Sequence, residues 1–259
     1  MTSGIQAFYD NLAVPDSCLL GKRIFKKQFY ENSLLNAADK KAFVEDIDSI
    51  EWRYTLKPST INIPRFEDAD YEYLEVAIIQ VTLTSGKRQK RIAEVIQKAI
   101  PYPLLILFIW VDDAGEHIAL NVADKRLNQA DSNKIVVEAS YDTNWITLSL
   151  LKSWQEAFLS DLQMANFSYQ NLFGFYQDIV KRVIAFNCAK HTGYYVIGSD
   201  DVSRKGDKLE GLRQIDHLQL ESTELRNKLK KEKNTGTQVQ LNIRVKQITD
   251  RIETIKQTL

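Results

Sequence analysis

The chain has 259 residues, 44% of them hydrophobic and 26% charged. That composition excludes wholesale disorder and leaves room for one large domain, or one domain with an appendage. Its 34 basic and 34 acidic residues cancel, which excludes a uniformly basic coat for nucleic acid but not a local basic face. No apolar run reaches the ~18 residues of a membrane span. The N-terminus, MTSGIQAFYD, lacks the basic-then-apolar pattern of a secretion signal, so a cytoplasmic location is expected.

Lys22, Arg23, Lys26 and Lys27 form a basic stretch that runs into Phe29 and Tyr30. Asn36 is placed to cap a helix through Ile50, with Phe43, Ile47 and Ile50 on one face. Trp52 to Leu56 has the aromatic and β-branched bias of a strand, ended by Pro58. Residues 64–72 (PRFEDADYE) read as an acidic loop. Tyr73 to Thr84 is almost continuously apolar, the pattern of a central strand buried on both faces.

Ser85 and Gly86 make a turn, and a helix follows to about Ala99, stopped by Pro101 and Pro103. Leu104 to Val111 (LLILFIWV) is a second buried strand. Strand, helix and strand in succession predict a parallel βαβ unit. Asp112 to Gly115 (DDAG) signals a hairpin turn, with His117 to Ala123 returning antiparallel and Ile135 to Tyr141 adding a further strand.

From Asn144 the pattern turns helical. Leu148, Leu151, Phe158 and Leu162 mark one helix, Leu172 to Phe186 a longer one, and residues 190–207 a loop or linker. The end of the chain carries heptad spacing. Ile215, Leu218, Ser222, Leu225 and Leu229 are followed by a break at NTGT. Leu241, Val245, Ile248, Ile252, Ile255 and Leu259 then resume the pattern. Two short heptad segments around a glycine-containing turn predict an antiparallel helical hairpin or coiled coil, closed within one chain or against a second copy.

The expected fold is thus an α/β (α+β) N-terminal domain over residues 1–143, its mixed sheet containing a parallel βαβ core. A helical region and linker cover 144–207, and the helical hairpin covers 208–259.

Candidate chemistry is sparse. Lys87, Arg88, Lys90 and Arg91 sit at a helix N-terminus, where basic side chains oppose the dipole unless an anion such as phosphate binds nearby. The plain alternative is a solvated first turn. Lys22, Arg23, Lys26 and Lys27, together with Lys57, offer a second basic patch, and Phe25, Phe29 and Tyr30 offer surfaces for base stacking; the alternative is core aromatics with snorkelling lysines. The order helix, strand, strand, helix, strand over residues 38–111 resembles the core of restriction-type nucleases. Those hold Mg²⁺ with carboxylates and an acid-x-lysine pair on adjacent strands, because two-metal chemistry needs close anionic ligands. Here Glu75, Asp68 and Asp70 are the available acids, and the central strand carries Gln80 with no acid-x-lysine.

Cys18 and Cys188 make neither a disulfide framework nor a zinc site, and His117, His191 and His217 lack ligand spacing. Cys188 and His191, three apart, suggest a dyad on paper; a buried cysteine near a helix end is the plainer reading. No metal or cofactor is expected, save Mg²⁺ under the nuclease reading.

Several stretches resemble a bacterial family known as domain of unknown function 4391. They are Ile24 to Tyr30 (IFKKQFY), Ile50 to Asn62 (IEWRYTLKPSTIN), Lys98 to Phe108 (KAIPYPLLILF), Trp145, and Lys231 to Asn242 (KEKNTGTQVQLN), together spanning roughly Lys22 to Leu259. The resemblance implies an accessory protein of bacterial defence loci, encoded near helicases, DNA methyltransferases and restriction subunits. It carries no activity to transfer. Where some relatives are expected to place an acid-x-lysine, this chain has Ile79-Gln80-Val81.

The function expected is a non-enzymatic interaction subunit that docks a helicase, methyltransferase or restriction subunit, or DNA. Leu218, Leu225, Leu229, Leu241, Val245, Ile248, Ile252 and Ile255 would form the interaction seam or a homodimer contact. A divalent-metal nuclease using Glu75 and Asp68 or Asp70, or a nucleic-acid-binding module, are the alternatives. No membrane partner is expected.

Overall fold

A computed structural model describes residues 3–32, 35–197 and 202–259. The helices are α1 (Gly4–Leu12), α2 (Lys27–Asn32), α3 (Ala37–Glu45), α4 (Pro58–Ile61), α5 (Gln89–Ala99), α6 (Ser153–Asp161), α7 (Leu172–Thr192), α8 (Val202–Lys231) and α9 (Thr235–Lys256). The strands are β1 (Leu19–Arg23), β2 (Ile47–Leu56), β3 (Phe66–Glu67), β4 (Glu72–Tyr73), β5 (Val76–Leu83), β6 (Leu104–Asp112), β7 (Gly115–Asn128), β8 (Asp131–Asp142) and β9 (Ile146–Thr147). The chain divides into two compact units, Met1–Val183 and Ile184–Leu259.

The first unit is built on a seven-stranded mixed sheet in the order β1-β2-β5-β6-β7-β8, with β9 also on β7. The apolar runs behave as their composition demands: β5 and β6 lie side by side in parallel, Ile79 opposite Ile106, joined through α5. The neighbouring pairs are antiparallel. One face of the sheet carries Ile79, Val81, Ile106 and Phe108, which pack with Ile92, Val95 and Ile96 of α5, Phe43 of α3 and Phe29 of α2.

A buried polar chain fixes α5 across the sheet. Gln97 donates to Asn121 Oδ1 at 2.8 Å, and Asn121 and Gln89 both donate to Asp142 Oδ1 at 3.0 Å. Lys125, 3% exposed, reaches from β7 to the end of α5 and donates to the carbonyls of Ile100 and Tyr102 at 2.8 and 2.7 Å.

Several sequence expectations change. Asn36 does cap α3, accepting from Asp39 N at 2.8 Å, but the helix stops at Glu45 and residues 47–56 form one strand. Phe43, Ile47 and Ile50 still meet in one cluster, at a helix-to-strand corner rather than along a helix. Lys26 closes that corner, donating to the carbonyls of Val44 (3.3 Å) and Ile47 (2.6 Å). The segment read as an acidic loop contains the β3–β4 pair, with Asp68 Oδ1 accepting from Asp70 N and Tyr71 N in its turn. Leu148 and Leu151 precede α6, because Ile146–Thr147 pairs with β7 instead. The segment 190–207 is not loop throughout: α7 runs to Thr192 before Gly193 (φ +81°), and α8 begins at Val202. Residues 198–201 of that stretch and the side chain of Tyr30 lie outside the described residues.

The edge strand β1 pairs with β2 through a register slip between Leu19 and Lys22, where Gly21 adopts φ +60°. Near the end of β6 Trp110 stacks on His117 of β7 (4.6 Å) and meets Trp145 edge-on, while Trp145 Nε1 donates to Gly86 O at 3.0 Å.

In the second unit α8 and α9 pack as a pair. Ile215, Leu218, Leu225, Ile248 and Ile252 are its buried core, with Leu241, Val245, Ile255 and Leu259 half-buried against it. Arg244 bridges to Glu221 across the helices at 2.8 Å. Ser222 lies in the buried seam and Asn242 is exposed. The heptad residues therefore face each other, and the hairpin closes within one chain.

Candidate functional site

The sheet face opposite α5 carries Ile78, Gln80 and Thr82 of β5, because alternate residues of a strand share a face. An acid-x-lysine pair would occupy two of these three positions. An aliphatic chain, an amide and a hydroxyl stand there instead. Gln80 lies opposite Glu51 of β2 in the ladder.

A bulge then reshapes β2. Trp52 pairs with Ile79 and Tyr54 with Ile78, so Arg53 is an extra residue. Such bulges re-aim side chains. Here the guanidinium of Arg53 sits 4.1 Å from the centre of the Tyr9 ring and 5.8 Å from that of Tyr54. Tyr9, brought by α1, donates its hydroxyl to Gln80 Oε1 at 2.7 Å. Arg53 and Glu51 form an ion pair at 3.4 Å with side chains 24% and 31% exposed, so the cluster opens to solvent. Arg53 Nε is buried with no hydrogen-bond partner.

Chemically the cluster is a set of donors around one carboxylate. Burial pushes the Tyr9 phenol well above its ordinary range, with Arg53 pulling partly back, so Tyr9 serves as a hydrogen-bond donor and not as a base. Among the described residues no three of His, Cys, Asp and Glu are gathered to hold a metal ion. A Mg²⁺ pair with its close anionic ligands does not fit Gln80, Arg53 and a single Glu51.

The acids named from the sequence lie elsewhere. Glu75 precedes β5; burial raises its carboxyl and neighbouring Lys57 pulls it back. Asp68 builds the β3–β4 turn, and the carbonyl of Asp70 accepts from Leu127 N at 2.8 Å. The structure brings Gln80 to a polar cluster and does not bring Glu75 to it.

At the start of α5 the chain supplies its own anions. Arg91 makes a two-pronged pair with Asp39 (2.7 and 2.6 Å) and reaches Glu94 at 2.6 Å. Arg88, with a left-handed backbone at φ +56°, pairs with Asp46 at 3.2 Å. Lys90 acts on Asp142, whose carboxyl is raised by burial. Lys87 and Lys57 are exposed and Lys26 is spent on carbonyls. Phe29 is core; Phe25 is 65% exposed. On the same side as α5, a cavity of about 760 Å³ is lined by Ile24, Phe29, Trp52, Val95 and Ile100, with Arg91 and Lys98 among its polar residues.

The thiol of Cys188 is pushed up to about 11 by burial, the reverse of what a nucleophile needs. Burial also lowers His191.

Sequence reading missed Tyr9, Glu51 and Arg53. The last two stand inside IEWRYTLKPSTIN, a stretch that carried the family resemblance. No helix among the described residues is long and apolar enough to cross a membrane. No curated protein and no solved structure matches the chain. A family model described as a domain of unknown function, DUF4391, matches residues 12–252. Covering nearly the whole sequence, that match makes the chain a member of the DUF4391 family.

Proposed function

We propose that the chain is a non-enzymatic interaction subunit of a bacterial defence or restriction-modification system, docking a helicase, methyltransferase or restriction subunit. The observation that carries this reading is the occupancy of β5. Where a restriction-type core would hold acid and lysine, Gln80 is tied to Tyr9 beside Arg53. The hairpin is the docking element in this reading. Its seam is consumed internally, so a partner meets the outer surface, where Leu220, Val239 and Ile243 are 62%, 53% and 54% exposed. Val239 and Ile243, four apart on α9, share one stripe.

The test is co-expression with each helicase, methyltransferase or restriction subunit encoded beside it, followed by nuclease treatment and size-exclusion chromatography. The expected result is a stoichiometric complex that survives nuclease and is lost with Val239→Glu plus Ile243→Glu. Elution of the chain alone in every combination overturns the reading.

A Mg²⁺-dependent nuclease is the second reading. The order α3, β2, β5, α5, β6 favours it, since these elements follow the helix-strand-strand-helix-strand order of that core once α4, β3 and β4, which stand between β2 and β5, are counted as an insertion. DNA cleavage that requires Mg²⁺ and is abolished by Glu75→Ala would establish it in place of the first.

A further inference from the structure

We infer that Arg53, Gln80 and Arg23 form a phosphate site for a nucleic-acid backbone at the partly exposed rim of the β1, β2 and β5 face opposite α5. This deepens the proposed function by naming a ligand for the sheet unit, but its test does not depend on a protein partner.

Three independent features converge. The bulge at Arg53 delivers a guanidinium that is stacked on Tyr9, and so held in one plane, yet incompletely paired. Its ion-pair partner among the described residues, Glu51, stands at 3.4 Å, longer than the roughly 2.7–2.9 Å of a good charge-assisted bond. Second, Tyr9 donates to the carbonyl oxygen of the Gln80 amide. The amide oxygen is thereby occupied and the NH₂ is what Gln80 has left to donate, so Tyr9 is a positioning residue. Third, Arg23 of β1 is opposite Glu51 in the ladder, as Gln80 is from the other side. Arg23 is exposed and has no ion pair among the described residues.

Arg23, Glu51 and Gln80 thus form a row across three strands, with Arg53 beside it. Two guanidiniums against one carboxylate leave a net charge of +1, which matches one phosphodiester. Arginine forks and an amide NH₂ suit a tetrahedral oxyanion, which accepts hydrogen bonds from several directions at once. Lys22 pairs with Trp52 and so lies on the opposite face of the sheet, which leaves Arg23 as the cation that β1 adds to the row. Glu51 keeps the site weak, since it competes for Arg53.

The experiment uses the full chain and fluorescent single-stranded DNA, RNA and duplex DNA of about 20 units, longer than one binding site. Anisotropy is followed from about 50 to 200 mM salt, the range over which phosphate contacts dominate affinity. Arg53→Gln and Arg23→Gln should each weaken binding severalfold or more. Each should also flatten the log–log salt slope by about 0.7 on a single strand or 0.9 on a duplex. Gln80→Leu should weaken binding and leave the slope unchanged, because the amide is neutral. Glu51→Gln should tighten binding. Lys40→Gln, on the exposed side of α3 and outside the row, should change neither. Arg23 lies on the surface of an edge strand, so its variant remains decisive if Arg53→Gln fails to fold. Wild-type affinity in both Arg23→Gln and Gln80→Leu with a wild-type slope in Arg23→Gln, or no binding to any of the three probes at low salt, overturns the proposal. Retained co-elution with a protein partner in these variants separates this outcome from failure of the docking reading.

Discussion

Lys125 makes the stability of the sheet unit depend on pH in a direction that can be worked out in advance. The residue is 3% exposed and its Nζ meets two backbone carbonyls, with no carboxylate bonded to it among the described residues. Burial therefore drives its pKa well below 10.5. A neutral amine still has two N–H groups, one for each carbonyl. The unfolded chain keeps the proton up to about 10.5 while the folded chain has released it, so the unfolded state binds more protons in between. Stability then rises with pH by up to about 1.4 kcal/mol per unit across that window, and is lost as pH falls through the folded value. Lys125→Met strands both carbonyls, at about 1–3 kcal/mol each, but that cost is the same at every pH. Urea unfolding at several pH values between about 7.5 and 9.5 should be followed by tryptophan fluorescence. That signal reports the sheet unit, since Trp52, Trp110, Trp145 and Trp154 all lie in it. The stability difference between wild type and variant should grow as pH rises. A flat difference would show that the buried lysine remains charged and refute the reasoning.

Gly86→Ala should destabilise the same unit by about 1–3 kcal/mol, the usual cost of overpacking. An added Cβ would stand 2.8 Å from Trp110 Cε3, and the loss should appear as a lower urea midpoint with altered fluorescence. Leu225→Ala opens the hairpin core, where Leu225 is 7% exposed beside Ile248 and Ile252. A cost of about 2–5 kcal/mol is expected, read as an earlier loss of helical circular dichroism. An unchanged helical melt would mean that the seam does not hold the hairpin.

The βαβ core was legible because β5 and β6 are each long apolar runs and α5 repeats its apolar residues at helical spacing; those signals are local. The heptads were legible for the same reason, but the break falls at residues 232–234 and not across NTGT, because Asn234 caps α9 and Thr235, Gly236 and Thr237 form its first turn. Ile47 and Ile50 misled because a three-residue spacing suits both a helix face and a bulged strand, and the choice is made by pairing with β5. The bulge at Arg53 exists only relative to the partner strand, and Tyr9 lies 71 residues from Gln80. No window of sequence contains both. The basic run at residues 87–91 looked unpaired because Asp39, Asp46 and Asp142 are remote in the chain and adjacent in space. Lys125 sits in an alternating strand, where a lysine normally faces water; the crossing end of α5 turns that position into an interior one.

The irregular β1 has a bearing on how the protein behaves at high concentration. A strand at the rim of a sheet is a template on which another chain can polymerise. Leu19 and Leu20, 55% and 40% exposed, would make this rim a sticky one. The left-handed Gly21 and the register slip break the row of amides after two residues, and Lys22 and Arg23 put like charges against any identical strand that approaches. At this rim the sheet thereby ends itself: addition of a further strand beside β1 is disfavoured by the same five residues that form it.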